Sequence, residues 1–356
     1  MRWLNQKLWA RMFGNVVGVS AWLACGASCR GTSSDVSAST QACELRYLSS
    51  FGQISPTELA ESLGYLAPCK LKWQGQVLGG PESIQAVSTG DVDYGGAATG
   101  SVIKLIGAGA PITQVITTNG VDDLTWGGYF VLEGSPIRGP RDLIGKKLAI
   151  NTLGAHAEFV IREYLTRGGL TKQEIKAVTL VVTPPVNGEQ TLRLGQVDLA
   201  ALSGVMRDRA TSRGGLRPLF TDRGLFGNFN SSTMVVRKDT LAKRPEHIRR
   251  LIDGTARAIE WARTTPQAQV REHLAHLFAT RGRGEAPALA QHWHSIGIRT
   301  PGGLIEDRDM QMWIDWLERE GDLPKGKLPR ASELYTNALN PYRPGATPGT
   351  SVANLR

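Results

Sequence analysis

Short apolar stretches alternate with amphipathic stretches along most of the chain. Lys147–Ile150 is brief, apolar and partly β-branched, which is typical of a buried strand. After a loop of small residues, Phe159, Ile161 and Leu165 recur at the spacing of the buried face of a helix. The same alternation runs from residue 43 to residue 317, so the pattern predicts an α/β fold with a mainly parallel sheet.

The predicted strands of the first half end in small or hydroxyl-bearing residues. Ligands of open α/β sheets bind beyond the carboxyl ends of the strands, so a binding site is expected at these ends. The candidate ligand-binding residues here are Ser50, Phe51, Gly80, Ala97, Ala98 and Thr99. A helix start that is small only for tight packing gives the same pattern at 97–99, and the local sequence does not separate the two interpretations.

The turn after Lys147–Ile150 leads directly into a helix, which points free backbone N–H groups past the end of the strand. Those groups and the helix dipole favour an anion. Thr152 adds a hydroxyl, and Gly154 permits close approach of the backbone. Ala155 offers a further N–H, and the His156 ring is a hydrogen-bond donor. Two plainer interpretations stay open, namely an ordinary strand–helix turn and a His156 side chain that faces solvent.

A helix, a Gly-x-Val-Asp step and an apolar strand occur twice in this order. Gly90–Asp93 is the first such step and Gly195–Asp198 is the second, which indicates two lobes of one architecture. The strand ends and the polar loop of the second half supply further candidate ligand-binding residues, which are Asn187, Ser203, Gly204 and Asn230.

The chain has 356 residues, enough for about two domains, and a formal net charge of +9. Nucleic-acid binding needs a basic face and a recognisable module, whereas Lys and Arg are scattered here and no such module occurs. A diffuse positive field favours small anions instead. The sequence has no motif for a metal or a cofactor, and no Ser/His/Asp set or carboxylate pair that indicates an enzyme.

The first residues have the pattern of an export signal. Arg2, Lys7 and Arg11 precede an apolar run at 12–24, which predicts a signal peptide over 1–28. Cleavage after Ala27 and lipidation of Cys25, in a Leu-Ala-Cys sequence like the end of a lipobox, both stay open. Residues 29–42 are predicted to be a flexible linker and residues 341–356 a disordered tail. The protein is therefore expected in the periplasm or at the outer face of the cytoplasmic membrane.

Cys43 and Cys69 each stand directly before a predicted strand. The starts of neighbouring parallel strands lie at the same edge of a sheet, and an exported protein is in an oxidising compartment. The positions predict a disulfide, with two buried free thiols as the alternative.

Several segments together resemble one protein family. They are Asp142-Leu-Ile-Gly-Lys-Lys, Gly154-Ala-His-Ala, Gly90-Asp-Val-Asp followed by Gly96-Ala-Ala-Thr, Arg244-Pro-Glu and Glu260-Trp-Ala. In this order they resemble the substrate-binding components of ABC importers for alkanesulfonates, taurine, nitrate and thiamine-pyrimidine precursors. The resemblance implies a type II periplasmic binding protein fold, with two Rossmann-like lobes joined by two crossover strands. It implies a first lobe at 43–130, a second lobe at 131–229, and a return to the first lobe with outer helices at 230–340.

The resemblance also implies a function. A monomer of this family would deliver a small anionic or zwitterionic solute, sulfonate-like or taurine-like, to a membrane permease by hinge closure. His156 matches a position that contacts ligand in some members. Ser203-Gly-Val-Met departs from the Trp, Asp-Pro or Gly-Pro-Phe that sulfonate-binding members often carry there, so the ligand class stays open. The alternatives are an enzyme related to thiamine-pyrimidine synthesis, although the Cys-rich motif of those enzymes is absent, and a lipid-anchored sensor with a degenerate cleft.

Overall fold

The computed structural model describes residues 43–323 and 329–346, in which strands and helices alternate. The strands are β1 Glu44–Ser49, β2 Lys70–Gln76, β3 Tyr94–Ala98, β4 Ile112–Val121, β5 Gly128–Leu132, β6 Lys147–Ile150, β7 Thr179–Val182, β8 Leu199–Leu202, β9 Leu216–Thr221 and β10 Phe229–Arg237. The helices are α1 Pro56–Ser62, α2 Gly80–Thr89, α3 Thr99–Gly107, α4 His156–Arg167, α5 Lys172–Lys176, α6 Gly188–Arg193, α7 Gly204–Ser212, α8 Asp222–Phe226, α9 Lys238–Lys243, α10 Pro245–Thr264, α11 Gln267–Thr280 and α12 Asp307–Glu320. In this part of the chain, none of the helices has the length and apolar character needed to cross a membrane.

The strands form separate sheets in two lobes. In the first lobe, β1 pairs with β2, and a second sheet has the order β3-β10-β4. In the second lobe, one sheet has the order β7-β6-β8-β5-β9. The chain passes from the first lobe to the second between β4 and β5, and it returns between α8 and β10.

The expectation of a mainly parallel sheet is wrong for two strands. β10 runs antiparallel to both β3 and β4, and β5 runs antiparallel to both β8 and β9. Each of these strands follows a crossing between the lobes. It therefore enters its sheet from the carboxyl ends of the neighbouring strands and must run against them. β1–β2 and β7–β6–β8 are parallel, as predicted.

The repeated Val-Asp step has the same hydrogen bonds in both lobes. Asp93 donates its backbone N–H to the Arg46 carbonyl (3.0 Å) and accepts the Arg46 N–H on Oδ2 (2.8 Å). Asp198 makes the same pair of bonds with Lys147, both at 2.8 Å. In each lobe, the aspartate thus lies just before one strand and is hydrogen-bonded to a residue of another strand. This shared role explains why the step recurs in the sequence.

The C-terminal helix α12 packs against both lobes. The Trp313 side chain is fully buried and lies near Phe159 of α4, with ring centroids 5.9 Å apart. Trp316 Nε1 donates to a Glu163 carboxylate oxygen of α4 at 3.0 Å. On the other side, Asp322, just after α12, bonds to Lys104 of α3 at 3.2 Å. The helix therefore connects α3 of the first lobe with α4 of the second.

Some sequence predictions concern residues at the ends of the chain. The predicted signal peptide, Cys25, the linker at 29–42 and the last ten residues of the tail lie outside the described residues. Residues 341–346, the start of the predicted tail, form turns. The lobe boundaries also stay a prediction, although Tyr129 and Phe130, assigned to the first lobe from the sequence, lie in a strand of the second.

Cys43 and Cys69 are joined by a disulfide, with their Cα atoms 4.4 Å apart. The bridge lies at the start of β1 and β2, where the Lys70 N–H also donates to the Cys43 carbonyl at 2.7 Å. Replacing both cysteines with alanine is expected to lower the free energy of unfolding by about 3 kcal/mol, because the bridge restricts the unfolded chain. Urea denaturation of both proteins, with and without reductant, checks this. Reductant should weaken only the wild-type protein, and equal stability of the two oxidised proteins would contradict the prediction.

Candidate functional site

A cavity of about 470 Å³ lies between the lobes, and three helix N-termini open onto it. These are the N-termini of α2 at Gly80, α4 at Ala155 and His156, and α7 at Ser203 and Gly204. No side chain of the described residues caps the first turn of these helices from the N-cap position. Free N–H groups in the first turn carry partial positive charge, so the three helices together favour negative charge in the cavity.

Two glutamate side chains accept hydrogen bonds from backbone N–H groups just ahead of α2 and α4. Glu82 accepts the Leu78 N–H at 2.9 Å, and Glu158 accepts the Gly154 N–H at 2.8 Å. Each carboxylate binds the residue before the N-cap. The N–H of Gly154, one of the candidate ligand-binding residues, therefore donates to a glutamate within the protein.

The side chains that line the cavity carry little free charge. Within the described part of the chain, the lining includes no Lys or Arg. Its two carboxylates are paired inside the protein: Glu58 contacts Arg283 at 2.8 Å, and Asp222 contacts His156 Nε2 at 3.0 Å. An anion in this cavity would thus be held by backbone and neutral donors rather than by a cationic side chain. In the same described residues, no group of three His, Cys, Asp or Glu side chains is placed to hold a metal ion.

Nine of the predicted ligand-binding residues line the cavity. They are Ser50, Phe51, Gly80, Ala97, Ala98, Ala155, His156, Ser203 and Gly204. Ala97 and Ala98 end β3, where they pair with Thr233 and Ser232 of β10, and Ala98 is also the N-cap of α3.

The loop with Ser50 and Phe51 is held in place from the first lobe. The Gly52 N–H donates to the buried Glu285 carboxylate at 2.6 Å. Gly52 has φ +75°, and a Cβ here would lie 2.6 Å from Met206 Cε. A residue without a side chain therefore lets this loop and α7 approach each other across the cavity.

Thr99 and Asn230 are structural and do not line the cavity. The Thr99 side chain is fully buried, and its hydroxyl donates to the Ser231 carbonyl at 3.4 Å. Asn230 Nδ2 donates to Asp309 at 2.8 Å, and Asn230 Oδ1 accepts the Arg299 N–H at 3.1 Å. Their polar groups join β10 to its surroundings, and the structure places neither residue at the cavity.

Thr152, Gly154 and Asn187 are not part of the cavity lining either. The Gly154 carbonyl accepts the Ser101 hydroxyl of the first lobe at 2.7 Å. The Thr152 methyl group lies against Gly79, where a Cβ would be 2.6 Å away. The 152–154 turn therefore contacts the opposite lobe. Asn187 is exposed and its carbonyl accepts the Thr191 hydroxyl at 2.8 Å.

His156 lines the cavity but is tied to the protein through Nε2. Asp222, its partner, also accepts the Gly127 N–H at 2.8 Å, directly before β5. The ring centroid of His156 lies 6.0 Å from that of Phe229, the first residue of β10, and 6.0 Å from that of Trp313. Its Nδ1 is buried without a hydrogen-bond partner among the described residues. His156 thus sits where both lobe crossings meet, and the role predicted for it as a free donor is limited to Nδ1.

The apolar part of the cavity lining was not indicated by any sequence pattern. Trp126, Met206 and Trp293 all face the cavity. The Arg207 guanidinium lies 4.2 Å from the Trp126 ring centroid and donates to the Trp126 carbonyl at 3.0 Å, which fixes this ring in place. Trp126 and Trp293 lie outside helices and strands, so no periodic signal marks them.

Tyr94 is the one buried hydroxyl of the lining that has no hydrogen-bond partner among the described residues. Burial raises the pKa of this hydroxyl well above its ordinary value, and the neighbouring Tyr47 and Glu58 add to the effect. The group is therefore protonated at neutral pH and available as a donor.

A family model and several solved structures are similar to this chain. The family model described as NMT1/THI5 like matches residues 53–269, whereas a search of curated proteins gives no match. The alkanesulfonate-binding protein SsuA from Xanthomonas axonopodis pv. citri bound to MOPS has 20% identity and a TM-score of 0.64, over 83% of this chain and 98% of its own.

Two further solved structures are similar. The periplasmic nitrate-binding protein NrtA from Synechocystis PCC 6803 has 13% identity and a TM-score of 0.62, over 84% of this chain and 87% of its own. A mutant of DSZB in complex with biphenyl-2-sulfinic acid has 19% identity and a TM-score of 0.57, over 83% of this chain and 97% of its own. At these identities the likeness shows the fold, while the family model covers more than half of the chain. The chain therefore belongs to the NMT1/THI5-like family and has the periplasmic binding protein fold.

Proposed function

We propose that this protein is the solute-binding component of an ABC importer and holds a small organic anion, such as a sulfonate, between its lobes. The observation that carries the proposal is the convergence of three helix N-termini on one cavity whose described lining has no Lys or Arg. Backbone N–H groups at helix starts bind anions without a paired cation. Alkanesulfonate binding by SsuA and nitrate binding by NrtA, on the same fold, support this ligand class.

The size of the cavity favours an organic anion over an inorganic one. The volume is about 470 Å³. That is far more than nitrate needs, and it lies within the range of about 300–1,000 Å³ that is usual for organic ligands. The Trp126, Met206 and Trp293 side chains would cover the apolar part of such a solute.

Contacts across the cleft support a binding mechanism by closure. Ser101 of α3 donates to the Gly154 carbonyl at 2.7 Å, and Asn151 Nδ2 donates to the Leu78 carbonyl at 3.2 Å. These bonds join the two lobes, and Leu78 and Asn151 both line the cavity. The bonds would have to break for a solute to enter and would re-form around it, and the closed monomer would then dock onto the membrane permease.

A charge at the start of α7 tests the proposal. Ser203→Asp places a carboxylate at an N-cap that lines the cavity, and Ser203→Asn is the neutral control of similar shape. At about 8 Å and an effective dielectric constant of about 20, like charges repel by about 2 kcal/mol, so the affinity for an alkanesulfonate should fall about 30-fold with Asp.

Isothermal titration of the wild-type protein and both variants with octanesulfonate measures this effect. Ser203→Asn should stay within about threefold of wild type, because it adds no charge. Equal affinity of the Asp and Asn variants would contradict an anion site at this helix. Failure of the wild-type protein to bind any sulfonate, sulfinate or carboxylate would favour the alternative of a lipid-anchored sensor.

A second candidate function is an enzyme acting on an organosulfur compound. The specific observation is the hydrogen-bonded His156–Asp222 pair at the cavity, an arrangement that general bases use. DSZB, described as a desulfurization enzyme, has the same fold. Incubation with biphenyl-2-sulfinate followed by mass spectrometry separates the two functions. A binding protein returns the compound unchanged, whereas an enzyme converts it and loses that activity in His156→Asn.

A further inference from the structure

The cavity does not end at the helix N-termini but continues into the first lobe. Its lining includes Leu59 of α1, Ala262 of α10, and Val270, Leu274 and Phe278 of α11, all of them buried. We call these five residues the tail chamber. They belong to the main apolar cluster of the first lobe, so the cavity reaches a region that is normally filled by side chains.

The length of the tail chamber can be read from α11. Val270, Leu274 and Phe278 follow each other at intervals of four, so they lie on one face of the helix. At 1.5 Å per residue, eight residues span about 12 Å. Met234 of β10 and Tyr94 of β3 also line the cavity. This face of α11 therefore offers a solute in the cavity an apolar surface about 12 Å long.

We propose that the solute is an amphiphile, with an anionic head group at the N-termini of α2, α4 and α7 and an apolar tail about 12 Å long in the tail chamber. This inference rests on the proposed function and specifies its ligand. The head group meets backbone donors at the cleft, and the tail meets the buried apolar side chains of the tail chamber. Solutes with a head group but no tail, such as taurine, would leave the tail chamber unfilled.

A series of linear alkanesulfonates from ethane- to dodecanesulfonate tests the inference by isothermal titration. Each methylene that enters the tail chamber should raise the affinity about fourfold, and the gain should stop once the chamber is full. Affinity that is the same along the series would overturn the amphiphile while leaving the binding function intact. If no sulfonate of the series binds but a sulfinate or carboxylate with the same alkyl chain does, the head group proposed here is wrong and the apolar tail is supported. No binding of any of these would overturn both.

A variant that fills the tail chamber localises the effect. Ala262→Leu adds bulk at a buried position of the lining, and Ala279→Leu adds the same bulk at an exposed position of α11. We expect Ala262→Leu to weaken dodecanesulfonate at least tenfold and to leave ethanesulfonate unchanged, whereas Ala279→Leu changes neither. If Ala262→Leu does not fold, Leu274→Ala serves instead, because it enlarges the chamber and should shift the plateau to longer chains. Equal loss for short and long chains, or an unmoved plateau, would overturn the proposal.

Discussion

Replacing Asp93 with alanine is expected to lower the free energy of unfolding by about 3–5 kcal/mol, the usual cost of removing one partner from a buried ion pair. The side chain is only 7% exposed. Its carboxylate accepts the backbone N–H of Arg46 at 2.8 Å and the Arg46 Nε at 3.1 Å, and it contacts Arg244 at 3.1 Å. The substitution therefore leaves a backbone donor of β1 without its acceptor and removes the charge that pairs with two guanidinium groups. Urea denaturation monitored by circular dichroism measures the loss.

Asp198 provides a matched control for Asp93. It makes the same backbone bond, to the Lys147 N–H at 2.8 Å, but its side chain is 37% exposed and its ion pair with Lys146 is 3.7 Å long. Water can replace the lost acceptor there, so Asp198→Ala should cost only about 1 kcal/mol. Equal losses in the two variants would show that the motif stabilises through the backbone bond alone and would contradict the role of burial.

The Asp93 contribution should also depend on pH. Burial raises the pKa of Asp93, but hydrogen bonds from Arg46 and the charges of Arg46 and Arg244 outweigh burial and hold the pKa below its usual value. Because the folded-state pKa is lowered, the contribution is present above the unfolded-state pKa of about 3.9 and is lost as pH falls through the folded-state pKa. The stability difference between wild type and Asp93→Asn should therefore be constant near neutral pH and shrink below about pH 4.

Local patterns were enough to predict many elements of the fold. Lys147–Ile150 forms a strand at the predicted bounds, since it is a short apolar run between turn-forming residues. The Val-Asp step marked both lobes, because it makes the same short-range contact twice. The direction of β5 and β10 was not predictable in this way. It depends on where the chain crosses between lobes, and no local pattern records that.

The candidate site shows the same limit. Gly154 and Asn230 are small or polar residues near an end of a strand, as is the lining residue Ser203. What removes them from the cavity are partners distant in sequence, Ser101 for Gly154 and Asp309 for Asn230. The tail chamber was equally hidden, because the apolar face of α11 has the same spacing whether it faces a side chain or a cavity.

Trp313→Ala is expected to cost about 3–5 kcal/mol of unfolding free energy, the usual range for removing a large aromatic side chain from a core. Trp313 is fully buried, and its ring lies close to Phe159 of α4 and Phe229 of β10. A Cβ on Gly100 of α3 would lie 3.1 Å from its ring, so α3 also packs against it directly. The indole thus fills the space where α12 meets both lobes, and alanine would leave a cavity there.

Trp313→Phe is the control, because phenylalanine keeps most of the aromatic contact. It also removes an indole N–H that has no hydrogen-bond partner in the described residues. We expect it to cost less than half as much as alanine, measured by urea denaturation of the three proteins side by side. Equal losses would mean that the shape of the indole, rather than filled volume, holds α12 in place. Since His156 lies 6.0 Å from this ring and lines the cavity, the alanine variant should also bind its solute more weakly than the phenylalanine variant. That difference would connect the packing of α12 to the binding site.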